Sequence, residues 1–382
     1  MKRIALLIVM LAVGCAPALT QTAVARQALT IDLGDFQTKA ELTFPSLSAA
    51  PLPTVILIPG SGPEDMDATI SSFDMLGKPL KLSSIFKDIS DTLTPNGFAV
   101  LRYNKHYVTG PSQFDAQKYY SKLNMNQMLA DAEKVLEAAK SNPRVDAKRI
   151  YVYGWSEGST VAAALVASHP EIAGLIVQGP LALSWRETFI FQTLEVGLPY
   201  LKTFALDGKI TDATLLKVLN GSDGSVAKGI VNYIADPSGF QTGKVAINPL
   251  LDTNKNGALD LETELTPRIL EGVIDMGFAS FFGIYAPSRA LPNLLEAIAK
   301  LKLPVLVLQG QFDANVPERG ARALETALKT AGNSDVTLKV CAGIGHSLGI
   351  ALSLIDDNFR PISDAPLTDL TAWLRAHVGT RR

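Results

Sequence analysis

Apolar residues in this chain fall into short, mostly apolar runs that alternate with segments of helical spacing. The runs lie at 53–58, 98–103, 149–153, 173–178, 303–309 and 336–341. A strand that is apolar at nearly every position, rather than every second one, is a strand buried on both faces, as in a parallel sheet. Between the runs, 84–93 sets Ile85, Phe86, Ile89 and Leu93 on one helical face, and 125–140 is amphipathic and stops at Asn142-Pro143. An Ala-rich helix follows Ser156 and closes at His169-Pro170, and 317–331 and 365–377 read as late helices. Strand and helix in turn predict an α/β domain with a mostly parallel central sheet and helices on both faces.

From about 185 to 300 the buried β-runs disappear. Helix-like segments take over, punctuated by Gly221-Ser-Asp-Gly224, Asp236-Pro-Ser-Gly239 and Asn254-Lys-Asn-Gly257. This predicts a helical cap inserted into the sheet domain, seated over the carboxyl ends of the strands, where open α/β sheets bind ligands. The expected organisation is a core first part at 26–184, a cap at 185–300 and a core second part at 301–382.

The first 25 residues differ from all of this. A charged start, Met1-Lys2-Arg3, leads into an apolar run from Ile4 to Gly14, too short to span a bilayer comfortably. Two exits are readable. Ala23-Val24-Ala25 fits a small-x-small cleavage pattern that leaves Arg26 first, so 1–25 reads as a signal peptide. Leu11-Ala-Val-Gly-Cys15 is a loose lipobox in which Cys15 would carry lipid; Ala12, where Leu is usual, favours plain cleavage. The expectation is an exported protein, periplasmic or secreted, with a lipoprotein as the alternative and no transmembrane span after signal removal. Cys341 is then the only cysteine left, so no intrachain disulfide forms. With 382 residues, 47% of them hydrophobic, the core does not need one. A net charge of -2, with Lys and Arg scattered singly, gives no electrostatic argument for nucleic acid as partner.

The chemistry concentrates at Gly154-Trp-Ser156-Glu-Gly158, between a strand and a helix. A sharp turn there pushes a serine hydroxyl above the sheet, near a helix N-terminus. A serine nucleophile needs a base, and the base needs an orienting acid. Of four histidines, His106 precedes the serine, His169 ends its helix and His377 lies in the last helix. His346 lies in a Gly-rich loop after a strand, and is the expected base. Asp313 follows the 303–309 strand and is the expected acid. Asp335 precedes a strand, at the wrong end of the sheet, and Asp356 and Asp357 come after the histidine. The oxyanion hole is expected from the backbone N–H groups of Ser61, in the Gly60-Ser61-Gly62 loop, and Glu157, the residue after the nucleophile.

Gly60-Ser-Gly-Pro-Glu-Asp-Met-Asp67, Val100-Leu-Arg-Tyr-Asn-Lys, Gly154-Trp-Ser-Glu-Gly158 and Gln309-Gly-Gln-Phe-Asp313 together resemble the esterase and serine-aminopeptidase-like branch of the bacterial α/β-hydrolases. The resemblance spans nearly all of the chain after the signal. It implies acyl transfer to water through an acyl-enzyme on Ser156. The chain departs from that branch in two places. Where Asp-x-Arg-Gly is frequent after the second core strand it has Asn104-Lys-His-Tyr, and Pro59 stands where His often precedes the oxyanion loop.

The leading expectation is a serine hydrolase acting on small or medium acyl esters, a small-molecule substrate, with no cofactor required for chemistry. An aminopeptidase or acyltransferase on the same residues is the alternative, and a non-catalytic binding protein on a hydrolase scaffold the reading from another class. One further motif lies in the cap. Asp252, Asn254, Asn256, the carbonyl of Ala258 and Asp260 have the spacing of the first nine positions of an EF-hand calcium loop. The carboxylate expected at position twelve is replaced by Thr263, flanked by Glu262 and Glu264. A structural calcium and a plain Asn-Gly turn are the two readings. Phe204-Ala-Leu-Asp207-Gly-Lys-Ile-Thr is a fainter echo, lacking early ligands, and reads as a turn.

Overall fold

The computed structural model describes residues 23–49, 51–73, 79–221, 223–239, 244–269, 290–292, 294–298 and 301–379. Eight strands form one sheet: β1 (Val24–Asp32), β2 (Gln37–Pro45), β3 (Leu52–Ile58), β4 (Ala99–Tyr103), β5 (Val145–Trp155), β6 (Gly174–Gln178), β7 (Val305–Gly310) and β8 (Val336–Cys341). Their spatial order is β1-β2-β4-β3-β5-β6-β7-β8. The β1–β2 and β2–β4 pairs are antiparallel and all others parallel.

The apolar runs fill two cores, one on each face. Along β3, Ile56 and Ile58 face helices α2 (Met125–Lys140) and α3 (Glu157–Ser168) through Leu136, Val161 and Leu165. Val55 and Leu57 face α1 (Ile85–Leu93) and the closing helix through Phe86, Ile89, Leu370 and Trp373. Successive side chains of a strand point to opposite faces, so an all-apolar strand is needed to stock both layers. Each fully buried Leu or Ile contributes on the order of 2–5 kcal/mol against truncation to Ala.

Three features depart from the expectations. The β1–β2 hairpin, with β1 starting at Val24, precedes the first strand read from the sequence, and two further small hairpins stand outside the main sheet, Thr69–Phe73 with Pro79–Ser84 between β3 and α1, and Val108–Gly110 with Gln113–Phe114 between β4 and β5. Helix α4 (Leu294–Ile298) packs in the main core, on the α2–α3 face, so the cap gives back its last helix before residue 300. The rest of the cap, from Trp185 to Ile269, is helical around a separate core that includes Phe191, Leu215, Ile230 and Leu265. Residues 270–289, and the signal region 1–22 with Cys15, lie outside the described residues. Among the described residues no helix is long and apolar enough to cross a membrane. The late helices α5 (Glu318–Thr330) and α6 (Asp364–Val378) stand within a residue or so of where spacing predicts them.

Candidate active site

The carboxyl ends of β5, β6 and β7 lie side by side, since Trp155 pairs with Gln178 and Gln178 with Leu308. Ser156 leaves β5 at φ 53° and ψ −122°, a conformation that L-residues avoid, and α3 starts at the next residue. Its N–H is held by the carbonyl of Gln178 at 2.9 Å. The flanking glycines are sterically required. A Cβ on Gly154 would stand 2.4 Å from the Gly158 carbonyl oxygen, and one on Gly158 would stand 2.4 Å from that of Ile58. The turn therefore closes only when both positions lack a side chain.

His346 and Asp313 meet above β6 and β7. Nδ1 of His346 lies 2.8 Å from Oδ2 of Asp313, and both side chains are buried. Oδ1 of Asp313 accepts the N–H groups of Asn315 and Val316, both at 2.9 Å. With Nδ1–H given to a carboxylate, Nε2 is left as the basic nitrogen. Burial works against a charge on the imidazole, but the Asp313 carboxylate outweighs it and holds the pKa above its ordinary value. Gly179, at φ +51°, makes room for this pair: a Cβ there would come 2.8 Å from the ring and 3.0 Å from Oδ2 of Asp313. Trp155 lies against the imidazole, with ring centroids 5.5 Å apart. Trp155 was legible in the sequence only as part of the Gly154–Gly158 motif, and Gly179 not at all.

Gly60 brings the expected oxyanion loop to the serine, since its Cβ would be 3.3 Å from that of Ser156. Ser61 is the exposed residue after it, and Glu157 begins α3. Beneath them lies a buried charged network. Lys105 Nζ donates to the Gly60 carbonyl at 2.7 Å and to the Glu157 carboxylate, while Glu64 accepts the Gly60 N–H at 2.9 Å. The Glu157 side chain is thus turned inward, only 1% exposed. Burial pushes Glu64 up to about 8, against the pull of Lys105 and the Gly60 N–H.

The remaining histidines stand elsewhere. His106 is buried between Asp131 and Asp35, at 2.8 and 3.0 Å. It belongs to the departure Asn104-Lys-His-Tyr, in which Asn104 accepts the Met66 N–H and Tyr107, at φ +64°, donates to Asp35. His169 contacts Glu171, and His377 faces Asp335.

In the cap, Asp252 accepts the N–H groups of Asn256 and Gly257, Asn254 that of Asn256, and Asn256 that of Ala258. Asp260 caps the following helical turn through Glu262 and Thr263. Glu264 reaches back to the N–H groups of Thr253, Asn254 and Asp260 and to the Thr253 hydroxyl. The fainter echo at 204–211 stands beside this loop, its Ile210 paired with Leu259 in a two-residue antiparallel ladder. Among the described residues, no group of three or more His, Cys, Asp or Glu is disposed to hold a metal ion.

The fold and sequence were compared with known proteins. Residues 81–228 match the family described as serine aminopeptidase, S33. The esterase EstD of Thermotoga maritima is 29% identical over 175 residues, which are 45% of this chain and 36% of that protein, so the likeness spans about a third of the relative's length. The esterase PF2001 of Pyrococcus furiosus superimposes with a TM-score of 0.53 at 12% identity, over 93% of this chain and 92% of that one. An eight-stranded, mostly parallel sheet with helices on both faces, matched by PF2001, gives the chain an α/β-hydrolase fold, and its residues 81–228 are similar to the serine aminopeptidase, S33, family.

Proposed function

We propose that the chain is a serine hydrolase that cleaves carboxylic esters of small or medium acyl groups. The observation that carries this reading is the buried His346–Asp313 pair, 2.8 Å apart, on the loops after β8 and β7, at the same sheet end as a serine held at φ 53° after β5. The Ser156 hydroxyl gives its proton to Nε2 of His346 as its oxygen attacks the ester carbonyl. Asp313 holds the imidazole in that tautomer and stabilises the imidazolium, worth roughly 10⁴ in rate in the best-studied triad. The N–H groups of Ser61 and Glu157 take the charge on the carbonyl oxygen. The proton returns to the departing alkoxide, leaving an acyl-enzyme, and water repeats the sequence to release the acid.

Two features favour an ester over a peptide substrate. The relative that is 29% identical over 175 residues is named an esterase. The Glu157 carboxylate, one of the acids that could receive a free substrate amine, is engaged by Lys105 instead. Hydrolysis of p-nitrophenyl esters from acetate to palmitate, with Ser156→Ala alongside, tests the reading. Turnover that falls off with chain length and vanishes in the variant is expected. Equal turnover by both proteins contradicts it, and no turnover by folded wild type moves the case to a peptidase or a binding protein.

The proposal includes export, supported by the charged and apolar start of the chain. A mature protein beginning at Arg26, read by N-terminal sequencing, is the expected product; lipid on Cys15 is the other outcome. It also includes a structural calcium in the cap, with no cofactor in the chemistry. Asp252, Asn254, Asn256, the Ala258 carbonyl and Asp260 are all hard oxygen donors, and Glu264 adds a third carboxylate close by. A ligand of the folded state must raise the melting temperature, so calcium should raise it and a chelator lower it. Identical melting in both would leave the loop as a self-bonded turn.

A further inference from the structure

Asp357 lies eleven residues beyond His346, in the loop between β8 and α6, and only 2% of it is exposed. Its Oδ2 accepts two backbone N–H groups, that of His346 and that of Ala314, each at 3.0 Å. One belongs to the base itself and the other to the residue after the acid. Oδ1 rests on Gly345, where a Cβ would come to 2.1 Å, so the carboxylate occupies the space that a side chain at 345 would fill. The two loops are also tied by the Phe312 N–H to the Ile344 carbonyl, but that bond lies one residue short of the acid and two short of the base. The segment that carries Asp357 is seated on the cap: Gly224 donates to the Ile355 carbonyl at 2.8 Å, and Leu354, Ile355 and Ala314 join the cap core.

We propose that Asp357 is a positioning residue for the Asp313–His346 pair, a carboxylate clamp that holds the acid loop and the base loop in register. The proposal rests on the reading of Ser156, His346 and Asp313 as a triad. A displacement of about 1 Å between reacting groups costs on the order of 10²-fold in rate, so two loops that each carry one member need such a clamp. The clamp is also an anion beside an imidazole that becomes cationic during catalysis. The charged groups that face His346 are Asp313 and Asp357, and those that face Asp357 are Asp313, His346 and Arg360.

The test uses the full chain with Asp357→Ala, Asp357→Asn, Ser156→Ala and His346→Ala, each checked for native near-ultraviolet dichroism. The alanine variant should lose roughly 10²-fold in kcat with KM within about threefold of wild type. Asparagine keeps an acceptor for both N–H groups and should restore kcat to within about tenfold. Because it removes the anion, it should also move the acid limb of kcat/KM to lower pH by about half a unit or more. A purely structural role would lower melting without moving that limb. An alanine variant with kcat within about twofold of wild type, or an asparagine variant whose acid limb coincides with wild type, overturns the clamp. If the alanine variant does not fold, the asparagine limb decides alone. Retained turnover in Ser156→Ala or His346→Ala would instead remove the triad reading, and the clamp with it.

Discussion

At Ser156 the chain holds a side chain where glycine would be more comfortable. A non-glycine residue at φ 53° costs of order 1–3 kcal/mol, and the cost is borne by the packing of Gly154 and Gly158 against neighbouring backbone. Replacing Ser156 with Gly should therefore abolish turnover yet raise the melting temperature, because relief of strain exceeds the added chain entropy of glycine. A lowered melting temperature would mean the elbow is not strained. A second residue-scale prediction concerns Lys105. Its partner Glu157 has no other hydrogen-bonded oxygen and is buried, so Lys105→Met leaves an uncompensated carboxylate. Denaturant unfolding should show a loss of about 3–5 kcal/mol, typical of a broken buried pair. Removing Lys140, whose partners Glu137 and Glu171 are exposed, should cost about 1 kcal/mol or less.

Elements with a single strong signal were the legible ones. The helices 125–140 and 317–331 were readable from helical spacing, and the strands 98–103 and 336–341 from stretches that are apolar but for Arg102 and for Thr337 and Lys339. The β1–β2 hairpin was not readable, for a physical reason. It is an antiparallel pair at the sheet edge, and β1 is exposed or half-buried at almost every position, with Arg26 and Glu41 paired across it. Such a strand has neither an apolar run nor a clean alternation. Helix α4 was assigned to the cap because nothing local distinguishes a helix that covers the sheet from one that covers a ligand. In the candidate site, Ser156, Asp313 and His346 are readings from strand-end position and chain order. Asp357 was set aside because it follows the histidine, and only the return of its loop brings it beneath the pair. The cap loop gives an element-scale prediction. The bonds that Glu264 accepts from Asp260, Thr253 and Asn254 hold its carboxyl down to about 2. A depressed carboxyl adds stability that is present above its unfolded pKa and is lost as pH falls toward the folded one. The cap should therefore loosen between about pH 4.5 and 2, and Glu264→Gln should remove most of that acid dependence from the melting curve.

Across the whole molecule, several groups bind their protons more tightly when folded. His106 is one: burial opposes its charge, but hydrogen bonds with Asp131 and Asp35 outweigh burial and raise its pKa. His346 is raised as well, and burial lifts Glu64 to about 8. For each, the folded chain holds protons that the unfolded chain has released. Stability is then fully present below the unfolded values and declines as pH rises through the folded ones. The free energy of unfolding should fall between about pH 5 and 8, and Glu64→Gln should flatten part of that slope. A stability that climbs over this window would contradict the hold of the Asp partners on the two histidines and the burial of Glu64.

Covalent labelling tests the central claim most directly. A fluorophosphonate should attach once per chain, on the peptide that contains Ser156, with the adduct absent from Ser156→Ala and formed far more slowly in His346→Ala. An adduct on another residue, or equal labelling of wild type and Ser156→Ala, would contradict the assignment of Ser156 as the nucleophile.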